Sequence, residues 1–384
     1  MRHTRSLAAL AVATLTLTSC SLGGGQDEPT PTQEPPATTS ADDSGDDDGA
    51  TSDRPAVVPP PEASDPGSVT LVTHDSFALP EELVAAFEEE SGYQLDLQTA
   101  GDAGELTNQL VLTKGSPVAD VVFGIDTTFA SRAVREGVLA AYTPADLPAS
   151  AEEHLLLGGE TVLTPVDYGD VCVNVDDVWF ANRGLVPPVT LEDLLKPEYE
   201  DLFVTPGATT SSPGMAFLLA TVGYFGPGEW QGWWQDLMAN GAEVTSGWTD
   251  AYTVDFTAGG GDGDRPIVLS YASSPPFTIP EGGFQPTTRA LLDTCFRQVE
   301  YAGVLEGAVN PEGAQAVVDW LVSPEVQAVI PDNMFMYPVD DEVVLPELWA
   351  QWAPLAEDPI VVHPGQIEAE RETWLREWAD IATG

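Results

Sequence analysis

The 384-residue sequence has few basic side chains, few cysteines and few histidines. Lys and Arg together number 13 against 62 Asp and Glu, for a formal net charge of −49. A chain so short of cations repels phosphate backbones and anionic lipid, which excludes nucleic acid as a partner. The histidines are His3, His74, His154 and His363, and the cysteines are Cys20, Cys172 and Cys295. They are too sparse and scattered for a multi-His metal centre or a Cys-based zinc site, so no metal or cofactor is expected. No catalytic Ser/His/Asp order, phosphate loop or dinucleotide fingerprint occurs. The apolar run at residues 7–17 falls far short of the ~20 residues that span a bilayer.

Hydrophobic residues make up 43% of the chain, with 10 Trp, 9 Tyr and 13 Phe. That content supports a substantial core and excludes wholesale disorder. The length predicts about two domains or lobes. Arg2 and Arg5 before the short apolar run read as a secretory signal. Its end, Leu17-Thr18-Ser19-Cys20, resembles a bacterial lipobox in which Cys20 is lipidated and becomes the mature N-terminus. An ordinary cleavage site with an incidental Cys is the competing reading. Residues 21–66 read as a disordered acidic, Pro-rich tether, including Pro59-Pro60-Pro61 and Asp42, Asp43, Asp46, Asp47 and Asp48. Pro stiffens such a segment and like charges extend it, so it spaces a folded body (residues 67–384) from a membrane to which lipid alone anchors it. A cation-binding Asp cluster is the weaker alternative, because the turn framework of a calcium loop is missing. Residues 26–66 hold only 11 of the 62 acids, so the acidity belongs chiefly to the folded part.

From residue 68 strands and helices alternate. Residues 69–73 read as a strand, Glu81–Ser91 as a helix with Leu83, Val84 and Phe87 on one face, and Gly92 as its C-cap. Residues 93–97 follow as a strand, 104–114 as a helix and 119–123 as a strand. This order predicts an α/β fold with a mainly parallel sheet, whose ligands sit beyond the carboxyl ends of the strands. The loops there carry His74-Asp75-Ser76, Gly101-Asp102-Ala103 and Gly124-Ile125-Asp126. A second α/β region begins with a helix from Leu191 and a strand at Phe203-Val204. A hydroxyl-rich turn then leads into a helix over residues 215–224. Ser211 and Ser212 at that turn suit either an anion or plain N-capping. Further on, residues 267–271 read as a buried strand and 310–321 as a helix with Pro311 in its first turn. Trp374 and Trp378, at i and i+4 of the last helix (364–381), read as packing rather than ligand stacking.

Several motifs then coincide: THDSF at 73–77, ADVVFGID at 119–126, PVDYG at 165–169, TSSPG at 210–214, GWTDAY at 247–252, LSYASSP at 269–275, LVSPEVQ at 321–327 and FMYPV at 335–339. From residue 69 to about 382 the chain resembles the periplasmic thiamine-binding proteins of ABC importers. The resemblance implies a bilobed periplasmic-binding-protein-like fold of type II, with two α/β lobes and a ligand cleft between them. Lobe crossings are expected near 165–175 and 290–302. It also implies a monomer that takes up thiamine or its phosphates and delivers it to a permease. Asp102 and Ala103 match a family Asp-Gly pair at the phosphate end, and Ser211 and Ser212 a Ser-Thr pair. Trp248 matches a stacking Trp, and Tyr271, Ala272, Ser273 and Ser274 a contact segment. His74 and Phe277 stand where the family has Tyr, and Phe335 where it has Trp.

The chemistry of the residues agrees with that ligand. A thiazolium and an aminopyrimidine need flat walls, and a cation gains from ring faces and carboxylates. Trp248, Tyr271 and Phe335 are candidate walls, and Asp126 or Asp167 the candidate carboxylate, with loop capping as the alternative for either. With Cys20 assigned to lipid, Cys172 and Cys295 suggest a disulfide in an exported domain. The resemblance places both near the lobe crossings, so the expected bridge ties neighbouring hinge strands. Two other classes remain open. A thiaminase-like enzyme on the same fold would need a free Cys nucleophile, with Asp170 near Cys172 as base. A polyamine or ferric-iron receptor would suit the acidity, but the paired tyrosines common in iron receptors do not occur.

Overall fold

The computed structural model describes residues 67–384; the signal, Cys20 and the tether lie outside the described residues. The first strands follow their sequence patterns. β1 (Ser68–Thr73), β2 (Gln94–Thr99) and β3 (Val121–Asp126) are separated by α1 (Glu81–Ser91) and α2 (Ala103–Leu112), and α3 (Ala130–Glu136) follows β3. Gly92 ends α1 in the left-handed conformation that glycine adopts without steric cost. β3 is buried along its whole length, as expected of a strand covered on both faces.

β4 (Thr164–Asp176) is long, with 13 residues, and runs into α4 (Asp177–Arg183). β5 (Phe203–Pro206), α5 (Ser212–Phe225), α6 (Trp230–Ala239), β6 (Glu243–Thr245), β7 (Ile267–Tyr271) and β8 (Thr288–Ala290) build the second half. β9 (Phe296–Val304) returns to the first half, followed by α7 (Pro311–Leu321), α8 (Pro324–Gln327) and α9 (Ile330–Asn333). β10 (Tyr337–Pro338), α10 (Glu347–Trp352) and α11 (Pro364–Ala382) complete the chain.

Among the described residues the strands form one sheet in the order β2-β1-β3-β9-β4-β7-β5-β6, with β8 and β10 paired to β4. The outer pairs are parallel, whereas β3–β9, β9–β4 and β4–β7 are antiparallel. The sheet is therefore mixed rather than mainly parallel. β4 and β9 lie at the centre of the sheet as a long antiparallel pair, which sequence alternation alone does not reveal. Two other expectations are corrected. The helix expected from Leu191 is a pair of short 3₁₀ turns, Glu192–Leu195 and Pro197–Tyr199. Pro197 has no N–H to continue a helix. α5 begins earlier than expected, because Ser211 caps it and Pro213 sits in its first turn, where a missing N–H costs nothing.

Each half has its own core. Phe123, Leu71 and Val304 lie under α7 in the first, and Phe217, Trp230 and Trp234 between α5 and α6 in the second. Trp374 and Trp378 are both buried in this second core, and Trp378 meets Trp234 edge-on at 5.6 Å, which is packing. The SPEVQ motif is also structural. Ser323 caps α8, and the Gln327 amide donates to the carbonyls of Val166 and Leu321.

Where β4 and β9 separate, Cys172 and Cys295 form a disulfide that closes a separation of 123 residues. Two residues before Cys172 and two after Cys295 lie the partners of a second clamp. Arg297 donates Nε and a terminal nitrogen to the two oxygens of Asp170 at 2.8 and 3.0 Å, and the Ala356 N–H donates to the same carboxylate. Closing so long a loop constrains the unfolded chain. Cys172→Ser/Cys295→Ser should therefore lose about 2–5 kcal/mol of stability by urea unfolding; an unchanged midpoint in oxidised protein would contradict this.

Candidate ligand cleft

The cleft forms where the loops after β1 and β2 face the start of α5, the segment around Trp248 and the loop between α9 and β10. Its volume of about 320 Å³ fits the range of small-molecule sites. Of the residues singled out from sequence, His74, Asp102, Ala103, Ser212, Trp248, Tyr271, Ser273, Ser274, Phe277 and Phe335 line it. Ser211, Ala272, Asp126 and Asp167 do not. They lie fully buried behind the wall.

The aromatic wall follows from local structure. Trp248 lies parallel to Tyr252 at 5.0 Å and edge-on to Tyr271 at 6.2 Å. Its indole N–H donates to Ser270 Oγ at 3.0 Å, which fixes the ring plane. Tyr252 belongs to a π-helical turn, Asp250–Asp255, a form found disproportionately at functional sites. Across the cleft Phe277 and Phe335 meet edge-on at 4.2 Å. Phe335 has φ of 59°, uncommon for a residue with a Cβ, and Ser273 Oγ holds its carbonyl at 2.6 Å.

Asp102 joins the two sides. Its Oδ1 accepts from Ala103 N at 2.7 Å and Ser212 N at 2.9 Å, and its Oδ2 from Trp248 N at 3.1 Å. Burial still pushes this carboxyl above its ordinary range, against those hydrogen bonds. Ser211 Oγ caps Gly214 N, and Ser212 Oγ donates to Asp126 at 2.5 Å. The donors that an anion would use at the start of α5 are thus held by the protein's own groups, and capping is what Ser211 does here.

The acidic end of the cleft is built on strand register. Glu300 on β9 stands opposite Asp126 of β3 on one side and Asp167 of β4 on the other. Like charges placed directly opposite destabilise a sheet. Asp126 accepts from Thr128 and Ser212 and from Phe129 N, and burial raises it to about 7. Asp167 has no donor among the described residues; burial, then the charge of Glu300, raises it well above the carboxylate range. Glu300 moves the other way. Burial would raise it, but the neighbouring His74, with a hydrogen bond from Gln298, lowers it overall. Glu300 is therefore the ionised member, and it lines the cleft. His74 Nε2 lies 3.6 Å from it. A Cβ on Gly124 would fall 2.1 Å from the His74 ring, so only glycine allows this approach.

Sequence reasoning named Asp126 and Asp167 as the candidate carboxylates and missed Glu300, as well as Thr249, Tyr252 and Met336 on the wall. Glu300 had a signal: it is the one acid within the otherwise uncharged stretch 298–304. Removing Asp102 strands three backbone donors, at about 1–3 kcal/mol for a buried group left unpaired. Asp102→Ala should therefore lower thermal stability more than Asp102→Asn, which keeps one acceptor. Equal melting temperatures for both variants and the parent would show that the bridge carries no weight.

A profile of bacterial extracellular solute-binding proteins matches residues 116–269. The thiamine-binding periplasmic protein of Escherichia coli is 31% identical over 317 residues, covering 81% of this chain and 92% of the relative. That of Brucella suis is 27% identical, covering 83% and 93%. A solved structure of a periplasmic thiamin binding protein superposes with a TM-score of 0.71 at 27% identity, over 82% of this chain and 96% of that one. Iron-bound HitA from Pseudomonas aeruginosa, at 20% identity and a TM-score of 0.64, shares the fold. The fold is thus the bilobed type II architecture of periplasmic binding proteins, and the chain belongs to the family of thiamine-binding periplasmic proteins.

Proposed function

We propose that this protein is an extracytoplasmic receptor that binds thiamine and hands it to an ABC permease. The observation that carries this reading is Glu300 at the wall of a cleft faced by Trp248, Tyr252 and Tyr271, with His74 beside it holding its carboxyl below the ordinary range. A permanent thiazolium cation gains from a desolvated carboxylate and from ring faces. An aminopyrimidine fills the remaining flat space between Phe277, Phe335 and the Trp248 pair. Thiamine itself suits the donors as they stand, whereas a phosphate tail requires Asp102 to release the Ser212 and Trp248 amides.

Lipid anchoring at Cys20, the 21–66 spacer and a monomeric receptor complete the reading. Its support is the Leu-Thr-Ser-Cys sequence and the composition that follows. Lobe crossings near 165–175 and 290–302 agree with the courses of β4 and β9. The enzyme alternative loses its nucleophile: Cys172 and Cys295 are bonded to each other, and Asp170 is committed to Arg297.

Calorimetric titration tests the reading. Thiamine should bind at micromolar strength or tighter, with spermidine as a weak control. Trp248→Ala should weaken it roughly 10- to 100-fold, the range for losing a buried aromatic anchor. Thiamine no tighter than roughly millimolar would contradict the receptor assignment.

A further inference from the structure

His74 is the one ionisable base on the cleft wall among the described residues; no Lys or Arg lines it. Every other charged or titratable group facing it is an acid or a phenol, from six different parts of the fold. Glu300 comes from β9, and Asp102 and Asp75 from the loops after β2 and β1. Asp167 on β4 and Asp126 on β3 flank Glu300 in the register, and Tyr271 on β7 lies near the same carboxylates. The cleft therefore presents negative charge with one titratable counterion.

Resting on the thiamine reading above, we propose that His74 is an exchangeable cation: its imidazolium neutralises Glu300 in the empty cleft, and a cationic ligand takes over that role by driving the proton off. The Nδ1–H bond breaks, its electron pair stays on Nδ1, where it accepts the Ser76 N–H, and the proton passes to bulk water.

The geometry supplies both halves of the exchange. Nε2 faces Glu300 Oε1 at ion-pair distance, 3.6 Å. On the other side of the ring Nδ1 accepts the Ser76 N–H at 3.2 Å, which suits the neutral imidazole, because an imidazolium has a proton there. Burial too favours the neutral ring. Glu300, helped by Asp102 and Asp75, tips the balance, and the group titrates above its ordinary value. A thiazolium beside Glu300 cancels that pull, and the two influences left, burial and the Ser76 amide, both expel the proton.

The sign follows from linkage. His74 titrates higher in the empty cleft than in the filled one. Below both values each form keeps its proton and affinity does not respond to pH. Between them, binding releases a proton, so affinity rises with pH. Above both, the response vanishes again. Asp126 also titrates near neutrality, at about 7, and is the rival source of any released proton. The test must separate the two groups.

Thiamine titrations near pH ~7, in buffers of different ionisation heat, count the protons released; the thiazolium charge itself is fixed there. The parent should release between about half and one proton per thiamine, and affinity should weaken roughly three- to tenfold per pH unit on acidification. His74→Gln should release none and show a flat profile. Glu300→Gln, which removes the partner and keeps the shape, should do the same if the first variant misfolds. Asp126→Asn should leave the release in place. Thiamine binding without proton release would overturn the exchange and leave the receptor reading standing. Release that survives in His74→Gln and disappears in Asp126→Asn would overturn it in favour of Asp126. Absence of thiamine binding by the parent would overturn both.

Discussion

Three carboxylates stand side by side across the centre of the sheet, on β3, β9 and β4, with Glu300 in the middle. Opposed like charges are a cost that a sheet does not normally carry. The surrounding structure manages it separately for each acid. Asp126 is held by hydroxyls and an amide, Asp167 is driven toward its neutral form, and Glu300 keeps its charge against His74. Of the three, Glu300 is the charge at the wall of the aromatic cleft, which Asp75 and Asp102 also line. The preference for a cation follows from that charge, and the −49 of the whole chain does not bear on it.

A single buried acceptor connects this site to the rest of the fold. Asp102 caps α2 in one half and accepts amides from the start of α5 and from Trp248 in the other. The same residue therefore positions the stacking ring and covers the donors at α5. On the far side of the sheet, Arg371 of α11 donates to the Thr128 carbonyl beside Asp126 and lies over the Phe129 ring.

Much of this was legible in the sequence, for identifiable reasons. Helices with a clear end signal, such as α1 with Gly92 after it and α7 with Pro311 in its first turn, could be read from the sequence alone. The loops carrying His74 and Asp102 were visible as polar residues just after predicted strands. The mixed sheet was not, because pairing between β4 and β9 joins segments more than a hundred residues apart and leaves no local trace. Nor was the exchange of roles among the acids. Asp126 and Asp167 sit in motifs that drew attention, yet register and burial put them behind the wall and Glu300 at it. The π-helical turn that brings Tyr252 under Trp248 likewise depends on tertiary context.

A crystal structure of the protein with bound thiamine tests the central claim most directly. The account predicts the thiazolium within ion-pair distance of the Glu300 carboxylate, with a ring against Trp248 and the hydroxyethyl tail toward Asp102. A thiazolium turned away from Glu300, or thiamine held outside the Trp248–Tyr271 wall, would contradict it.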